Sequence, residues 1–386
     1  MASRNPAAPG ASRPVFDPAA LAVAGVRGLN PYQPGKPVAT LERELGITHA
    51  IKLASNENPL GPSPRAVTAA REALAEAHVY PDGNAFELKA ALAAQHGVDA
   101  AQITLGNGSN EILELIARTW LAPGRAAVFS AHAFAVYPLV TQAVDAEARV
   151  APALPADHPQ QPFGHDLAAM RERVDGDVRV VFVANPNNPT GTWVDDRELQ
   201  AFLDALPPTT LAVIDEAYAE YVEKSGYPDT TQWLDRYPNL IVTRTFSKIQ
   251  GLAGLRLGYA VSSPAVAELL NRVRQPFNVN AVAQAAGLAA LADAEHVQRS
   301  VQVNREGLQQ LSHALRERGF RVIPSVGNFV TFDTGRDAGA VFEALQREGV
   351  ITRPVENYGL PGHLRVTVST REDNHRFLDA LDRVLA

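Results

Sequence analysis

The sequence predicts an α/β protein with a large domain built on a mostly parallel sheet and a smaller α+β domain towards the C-terminus. The first observation is that, from about residue 64, short apolar runs alternate with segments of helical spacing. The second is that runs such as "AAVFS" and "VRVVFVANP" are apolar almost throughout, which is typical of strands buried on both faces of a sheet. The third is that, near residue 275, long helical segments and a few short strands replace this alternation.

Three units are predicted along the chain. Residues 1–63 form an N-terminal extension and arm, residues 64–275 the large domain, and residues 276–386 a small C-terminal domain with a connecting helix. The arm is expected to pack on the small domain. In the first sixteen residues, "MASRNPAAPGASRPVF", the absence of acids is typical of a transit peptide, but the prolines disfavour the amphipathic helix that such a signal needs. We therefore expect a flexible N-terminal extension, whose role the sequence does not indicate, on a cytoplasmic protein.

The individual elements follow from local signals. In the large domain, "SPRAVTAAREALAEA" is a predicted helix behind a serine cap, "AFELKAALAAQHG" is a helix that ends in glycine, and "SNEILELIARTW" is a helix that follows a glycine turn. The strands are "QITLGNG", "AAVFS", "VRVVFVANP", "LAVIDEAY" and "LIVTRTF". Beyond residue 275 we predict a long helical stretch from about 280 to 318, strands in "FRVIPSVGNFVTFD", a helix over 337–348, strands in "VITRP" and "HLRVTVS", and a final helix.

Composition excludes several classes of function. The chain has 386 residues, 46% of them hydrophobic, and a formal net charge of −7. A mildly acidic chain lacks the positive field that broad nucleic-acid or anionic-membrane binding requires, so neither partner is expected. The chain contains no cysteine, which excludes disulfides, thiolate nucleophiles and cysteine metal sites, and we expect no metal. No uncharged apolar run approaches the roughly 18 residues that span a bilayer.

Polar residues are concentrated where four of the predicted strands end. These strand ends carry Gly106 to Asn110, the run "NPNNPTG" at 185–191, Asp215 with Glu216 and Tyr218, and Ser247 with Lys248. In open parallel sheets, ligands bind beyond the carboxyl ends of the strands. Taken singly, each of these features has an ordinary structural interpretation: a loop, a stiff turn, a helix cap or a solvated charge.

Taken together, the four strand ends match the requirements of a pyridoxal phosphate enzyme. Such an enzyme needs a lysine whose pKa is lowered by its surroundings, a carboxylate facing the pyridine nitrogen, donors around the ring oxygen and a phosphate site. Lys248 and Asp215 supply the first two, and Asn188 and Tyr218 can donate to the ring oxygen. The residues that can surround a phosphate are Ser109, Asn110, Ser247 and Arg256.

The motifs "NPNNPTG", "DEAY" and "TFSKIQGLAGLRLGY", in this order, resemble the fold-type I aminotransferases, which depend on pyridoxal phosphate. Further segments are similar to the branch of that family that acts on histidinol phosphate: "LNPYQPGKP", "IKLASNENPLGPSP", "YPDG", "GNGSNEIL" and "VITRPVENYGLPGHLRVTVST". The resemblance covers nearly the whole chain. It implies an aspartate aminotransferase-like fold with a seven-stranded type of sheet in the large domain.

The resemblance also implies roles for single residues. Lys248 would hold the cofactor covalently and later move the proton at the substrate carbon, Asp215 would hold the pyridine nitrogen, and Asn188 and Tyr218 the ring oxygen. Phe134 in "HAFAVY" would stack on the ring, although members of the family often have tyrosine there. The phosphate would be held by Ser109, Asn110, Ser247 and Arg256.

Two implied roles involve the partner subunit and the substrate. Tyr80 of "YPDG" would reach the phosphate of the neighbouring subunit, which implies a homodimer with shared sites. The acidic end of the substrate would bind Arg365, with Arg353, Tyr32 and Asn188 nearby.

The predicted reaction transfers an amino group between histidinol phosphate and 2-oxoglutarate by a ping-pong route. Three alternatives stay open at this stage. The nearest is an aromatic amino acid aminotransferase on the same scaffold, the second is a decarboxylase of a phosphorylated amino acid, and the third is a non-catalytic module that binds the cofactor. The intact Lys248 and the absence of a visible helix-turn-helix extension speak against the third.

Overall fold

The structure, a computed structural model, describes residues 17–32 and 35–386. The predicted extension over residues 1–16 lies outside the described residues. The strands of the described part are β1 (Ile51–Lys52), β2 (Ile103–Gly106), β3 (Ala126–Ser130), β4 (Glu147–Ala151), β5 (Val178–Ala184), β6 (Leu211–Asp215), β7 (Leu240–Thr245), β8 (Gly258–Ser262), β9 (Arg321–Ile323), β10 (Phe329–Asp333), β11 (Val350–Ile351), β12 (Arg353–Pro354) and β13 (His363–Thr367). The α-helices are α1 (Pro18–Leu21), α2 (Ala24–Arg27), α3 (Val38–Leu45), α4 (Pro64–Ala73), α5 (Phe86–His96), α6 (Ser109–Trp120), α7 (Val136–Ala143), α8 (Leu167–Glu172), α9 (Asp196–Asp204), α10 (Pro264–Val273), α11 (Ala281–Leu291), α12 (Ala294–Glu317), α13 (Ala338–Arg347) and α14 (Arg371–Leu385).

The large sheet has seven strands in the order β2-β8-β7-β6-β5-β3-β4. Every neighbouring pair from β7 through β4 is parallel, whereas β8 runs antiparallel to both β2 and β7. The predicted mostly parallel sheet is therefore confirmed. This arrangement brings the carboxyl ends of β5, β6 and β7 to the same edge, which is where the candidate site lies.

Helices cover both faces of this sheet, which explains why its strands are apolar almost throughout. In β6, Ala212 and Ile214 belong to one core cluster, while Leu211 and Val213 belong to the cluster on the opposite face. Helices α4, α5, α9 and α11 contribute to the first cluster, and α6, α7 and α10 contribute to the second. A strand buried on both faces has no polar positions to alternate with, so it reads as a continuous apolar run.

The predicted helix boundaries in the large unit depend on caps that the structure shows. The Ser63 hydroxyl accepts hydrogen bonds from the amides of Arg65 and Ala66 at the start of α4. Helix α5 ends at Gly97, whose φ of 68° lies in the left-handed region that glycine adopts without strain. Helix α6 spans Ser109–Trp120, the twelve residues of the predicted segment "SNEILELIARTW".

A four-stranded antiparallel sheet, in the order β12-β13-β10-β9, forms the base of the smaller C-terminal unit. Helices α12, α13 and α14 pack on it around a separate core that includes Phe332, Phe377 and Leu345. The combination of an antiparallel sheet with helices confirms the predicted α+β character.

The long helical stretch predicted from about 280 to 318 is divided into α11 and α12. The Asp293 carboxylate caps α12 by accepting from the His296 amide at 3.2 Å. Helix α11 packs on α4 and α5, and its Ala283 and Ala286 belong to the core of the large sheet. The division of the chain at residues 63 and 275 stays a proposal, and α11, which it assigns to the C-terminal domain, lies against the large sheet.

The N-terminal arm contacts both units. Strand β1 pairs in parallel with β11, and Leu41 and Ala54 pack on Ile351, so this part of the arm lies on the small unit as expected. Helix α2 instead packs against α7 of the large unit. Within residues 17–32 and 35–386, no helix is long and apolar enough to cross a membrane.

Candidate active site

The carboxyl ends of the central strands open into a cavity of about 650 Å³. Most of the residues singled out from the sequence line this cavity, although they are distributed over more than 330 positions of the chain, from Tyr32 to Arg365. The predicted residues in its wall are Tyr32, Ser109, Asn110, Phe134, Asn188, Asp215, Tyr218, Ser247, Lys248, Arg256 and Arg365. The sheet edge has therefore brought the four polar strand ends together, as the parallel topology requires.

Lys248 lies just beyond β7, with its side chain in the cavity. Its Nζ donates a hydrogen bond to the Ser55 carbonyl at 3.1 Å and lies 5.6 Å from the centre of the Tyr218 ring. Burial, together with the nearby cations of Arg365 and Arg256, lowers the pKa of Lys248 to about 7. A large fraction of the amine is therefore neutral at neutral pH, which is the form that attacks a carbonyl carbon.

Asp215 ends β6, with 5% of its surface exposed. Tyr137 donates to Asp215 Oδ2 at 2.9 Å, and Thr243, its cross-strand neighbour on β7, donates to Oδ1 at 3.1 Å. Burial raises the pKa of Asp215, and these two hydroxyl donors oppose the rise. Burial and the adjacent carboxylate also raise the pKa of Tyr137, so this hydroxyl remains a donor. The carboxylate is thus held in one orientation and is suited to pairing with a cation inside the cavity.

Tyr218 and Asn188 both line the cavity. The Tyr218 hydroxyl accepts from the Asn56 side-chain amide at 2.9 Å, and burial raises the pKa of Tyr218, which keeps it protonated. Asn188 Oδ1 accepts from Arg365 Nη1, so its amide nitrogen is left for other acceptors. Arg365 Nη2 also donates to the Ala54 carbonyl at 2.6 Å. Both predicted donors to a ring oxygen are therefore oriented by neighbours.

The N-terminus of α6 is a candidate anion site, because the first main-chain amides of a helix and the positive end of its dipole favour negative charge. Arg256 Nη1 donates to Ser247 Oγ at 3.2 Å, which places the guanidinium beside the same helix start. Two glycines make this approach possible. A Cβ on Gly108 would lie 2.4 Å from Arg256 Nη2, and a Cβ on Gly258 would lie 2.3 Å from the Ser109 amide nitrogen.

Phe134 lines the cavity just before α7. Its ring meets the Tyr137 ring edge to face, with centres 5.9 Å apart and an interplanar angle of 85°. Tyr137 in turn stacks on Phe182 at 4.8 Å, so the aromatic wall is anchored in the core. Members of the family often have tyrosine at this position, and phenylalanine likewise presents an aromatic face to the cavity.

Two predicted residues are not in the wall of this cavity. Tyr80 is 79% exposed and stacks on Phe277 at 4.8 Å, away from the cavity of its own chain. Arg353 lines a neighbouring cavity of about 970 Å³, where its guanidinium lies 5.5 Å from the centre of the Tyr32 ring. Tyr32 borders both cavities, and Arg353 is the register partner of Arg365 across β12 and β13. Direct partners of an antiparallel pair face the same side, which places the two guanidinium groups near each other.

Sequence reasoning missed several residues that orient the site. Tyr137 belongs to the segment "HAFAVY" that was used only for Phe134, and Asn56 belongs to "IKLASNENPLGPSP", to which no single role was given. Thr243 interrupts the apolar strand β7, and a polar residue in a strand buried on both faces was a usable signal. The carbonyls of Ala54 and Ser55 carry no side-chain signal at all.

The arrangement fits a phosphorylated cofactor that bears an aldehyde and a basic ring nitrogen. A partly neutral amine, a buried carboxylate, two oriented donors, Arg256 and the first residues of α6 line one cavity. Gly108 has no Cβ, which lets the Arg256 guanidinium approach the start of α6. Among residues 17–32 and 35–386, no group of three or more metal-ligating side chains could hold a metal ion. The chemistry that such a set supports is reaction of an amine with a carbonyl carbon and proton transfer at an adjacent carbon.

Comparisons with known proteins agree with this site. A model of the aminotransferase class I and II family matches residues 48–381 of the chain. Histidinol-phosphate aminotransferase 2 of Methylococcus capsulatus is 58% identical over 365 residues, which cover 95% of this chain and 98% of that protein. Histidinol-phosphate aminotransferase 2 of Pseudomonas aeruginosa is also 58% identical, over 369 residues and the same shares of the two chains.

Solved structures share the fold. The crystal structure of histidinol-phosphate aminotransferase from Sinorhizobium meliloti in complex with pyridoxal-5'-phosphate matches with a TM-score of 0.83 and 28% identity, covering 97% of this chain and 98% of that one. Aspartate aminotransferase from Thermus thermophilus with maleate matches with a TM-score of 0.79 and 21% identity, covering 93% and 98%. These similarities confirm the predicted fold class.

Proposed function

The chain belongs to the aminotransferase class I and II family, and from that premise we propose that it transfers an amino group between histidinol phosphate and 2-oxoglutarate, a transamination of histidine biosynthesis. The observation that carries the proposal is the cavity in which the Lys248 amine, the Asp215 carboxylate and the Arg365 guanidinium meet. Relatives that are 58% identical over nearly their whole length act as histidinol-phosphate aminotransferases by name, which favours this substrate over an aromatic amino acid.

Pyridoxal 5'-phosphate is the cofactor of this family, and when bound it supplies an aldehyde for the amine and a ring that accepts electrons. Lys248 Nζ would hold the cofactor and then carry the proton at the substrate carbon. The Asp215 carboxylate would pair with the protonated ring nitrogen, while Asn188 and Tyr218 donate to the ring oxygen. Phe134 would stack on the ring, and Ser109, Asn110, Ser247 and Arg256 would hold the phosphate.

Three residues would hold the substrate phosphate. A phosphate monoester is nearly dianionic at neutral pH and offers three acceptor oxygens, so it needs more donors than the single carboxylate of an amino acid. Arg353 of β12 and Arg365 of β13 are directly paired across the two strands, and the Tyr32 ring lies against Arg353. Arg365 does not discriminate between the two substrate classes, since an amino acid carboxylate would also bind it. The discrimination would therefore depend on Arg353 and Tyr32.

The purified enzyme is expected to prefer histidinol phosphate to phenylalanine, tyrosine and histidine by at least about tenfold in kcat/KM, with 2-oxoglutarate as acceptor. A tenfold preference requires only about 1.4 kcal/mol of differential transition-state binding. The measurement is steady-state kcat/KM for each amino donor. If the wild-type enzyme prefers phenylalanine or tyrosine, the protein is an aromatic amino acid aminotransferase, and the fold and the cofactor are unaffected by this result.

Arg353→Ala is expected to reduce this preference more than it lowers any aromatic activity, because it removes a donor that only the phosphate ester uses. The matched control is Arg321→Ala, which changes an exposed arginine of β9, on the same sheet, outside both cavities. Equal losses for phosphate and aromatic donors in Arg353→Ala would remove Arg353 from substrate recognition.

Assembly and location complete the proposal. We propose a homodimer with shared active sites, and a cytoplasmic location stays a prediction. Tyr80 supports sharing because its ring is largely exposed and lies outside the cavity of its own chain. Phe277, Val79 and Phe86 are exposed near it in sequence or in space, and clusters of exposed apolar side chains are typical of interaction surfaces.

Sharing of sites predicts a gain of activity when two defective variants exchange subunits. In a hybrid of Lys248→Ala and Tyr80→Phe subunits, one site would combine the intact Lys248 of one subunit with the intact Tyr80 of the other. About half of the dimers in an equal mixture are hybrids, so activity should rise to about a quarter of the wild-type value plus a quarter of the Tyr80→Phe value. If Tyr80 serves its own chain, the mixture gives only the average of its two parents.

A further inference from the structure

Three consecutive residues of the N-terminal arm each contact a different residue of the candidate site. The contacts run from the Ala54 carbonyl to Arg365 Nη2 at 2.6 Å, from the Ser55 carbonyl to Lys248 Nζ at 3.1 Å, and from the Asn56 amide Nδ2 to Tyr218 Oη at 2.9 Å. Of these, only the Asn56 contact uses a side chain from the arm, so only this contact depends directly on the identity of the arm residue.

Asn56 is held rigidly. It is 1% exposed, and its φ of 56° lies in the left-handed region, which asparagine tolerates better than most residues. The Asn328 side-chain amide donates to its carbonyl at 2.9 Å, and its own amide donates to Thr367 Oγ1 at 2.9 Å. Both contacts come from the small unit, whereas Tyr218 belongs to the large one.

The hydrogen bonds around Asn56 run in one direction in the structure, from Thr367 through Asn56 to Tyr218. A main-chain N–H is always a donor, so Thr367 Oγ1 must accept from the Asn56 amide. The Thr367 hydroxyl hydrogen is then available for Asn56 Oδ1, which lies 3.2 Å away. With the Thr367 hydroxyl donating to Oδ1, the amide nitrogen Nδ2 donates to Tyr218 Oη, and every polar atom of the Asn56 side chain has a partner. Because the Tyr218 oxygen accepts from Asn56, its own hydrogen points elsewhere, and Tyr218 lines the cavity.

We propose that Asn56 is a positioning residue that directs the Tyr218 hydroxyl hydrogen into the cofactor cavity. Thr367 sets the orientation of the Asn56 amide, and Thr367 lies on β13, the strand that also carries Arg365. The order of this hydrogen-bond chain thus links the strand of the substrate anion site to the hydroxyl that serves the cofactor. The inference rests on the proposed function, since it takes Tyr218 as a donor to the ring oxygen.

Asn56→Asp reverses the hydrogen bond between residue 56 and Tyr218, while the shape of the side chain at position 56 is almost unchanged. A carboxylate has no N–H, so Tyr218 must donate to it and no longer donates into the cavity. A hydrogen bond from Tyr218 to the ionised ring oxygen of the cofactor favours the cofactor form in which this oxygen is ionised. Loss of that hydrogen bond therefore disfavours this form, and a higher pH is needed to reach it. The pH midpoint of the visible absorption of the enzyme-bound cofactor is expected to rise by about one pH unit or more.

Asn56→Asp also adds a negative charge, and the effect of this charge is separated from the effect of the reversed hydrogen bond by making the same substitution in the Tyr218→Phe variant. Tyr218→Phe has no hydroxyl, so in that background only the charge effect of Asn56→Asp remains, and the shift should fall to less than about half. If Tyr218→Phe itself leaves the midpoint in place, the proposed role of Tyr218 in the function is wrong. If Tyr218→Phe shifts the midpoint but Asn56→Asp adds the same increment in both backgrounds, the positioning role of Asn56 is wrong and the function stands.

Thr367 supplies a test without any change of charge. Thr367→Val keeps the shape and removes the hydroxyl that orients the Asn56 amide, so the midpoint should rise in the same direction by a smaller amount. Thr367→Ser keeps the hydroxyl and should leave the midpoint at its wild-type position. Equal midpoints for the valine and serine variants would exclude Thr367 from the chain, and this comparison remains available if Asn56→Asp fails to fold.

Discussion

Lys248→Ala is expected to abolish covalent attachment of the cofactor and to lower transamination by roughly 10⁴-fold or more, since it removes both a nucleophile and a proton carrier. The wild-type protein should retain the cofactor on Lys248 after borohydride reduction, and peptide mapping should locate the label there. The variant should bind cofactor reversibly at best. A Lys248→Ala protein with near wild-type turnover would overturn the proposed function entirely.

The low pKa of Lys248 adds a pH dependence to this prediction. A protonated amine is not a nucleophile, so the cofactor-free protein should react with an aldehyde slowly below pH 7 and faster above it, with the midpoint near the pKa of about 7. An ordinary lysine would place this midpoint near 10.4. Lys224→Ala is the matched control, because Lys224 is exposed and lies outside the cavity wall. It should keep covalent attachment.

Asp215→Asn is expected to slow proton abstraction by about 10² to 10⁴-fold. The asparagine keeps the size of the side chain and one acceptor for Tyr137 or Thr243, but it removes the negative charge that would face the ring nitrogen. Removing one partner of a buried charge pair costs about 3–5 kcal/mol, which corresponds to this range of rates. Part of the loss should appear as weaker cofactor retention. The rate is measured in single turnovers at saturating cofactor, so that retention and chemistry are separated.

Glu216→Gln is the matched control for Asp215→Asn. Glu216 is the next residue, is fully buried and pairs with Arg244 at 2.6 Å. Its carboxylate accepts from Thr230 and Arg244, whereas the Asp215 carboxylate accepts from Tyr137 and Thr243, so the two acids have separate partners. The control should lower the melting temperature and leave the single-turnover rate close to wild type at temperatures where it is folded. Unchanged single-turnover kinetics in Asp215→Asn would refute the assignment of Asp215.

Much of the fold could be predicted because its signals are local. A serine before a periodic segment predicted α4, and a glycine turn before "SNEILELIARTW" predicted the start of α6 at Ser109. The continuous apolar run "AAVFS" predicted the strand β3, which is buried on both faces. The division between α11 and α12 was missed, because the Asp293 cap lies inside a stretch of unbroken helical composition.

The sequence by itself determined which chemical groups stand at the ends of the strands. The order of strands then places those ends at one edge, because parallel strands in a sheet share their direction. For this reason Lys248, Asp215 and Asn188 could be assigned to one site before any contact was known. Each of these residues lies in or just after a strand, and the strand can be predicted because its type depends on residues that are neighbours in the sequence.

Only the tertiary structure decided how those groups are oriented. Asn56 lies 162 positions from Tyr218 and 311 from Thr367, and Tyr137 lies 78 positions from Asp215. Such contacts depend on how the arm, the helices and the two sheets pack against one another, and no local propensity encodes them. The same holds for Tyr80, whose place outside its own cavity follows from the packing of its loop on Phe277. Hydrogen bonds are short and directional, so they form only after the packing of distant elements has brought the partners within about 3 Å.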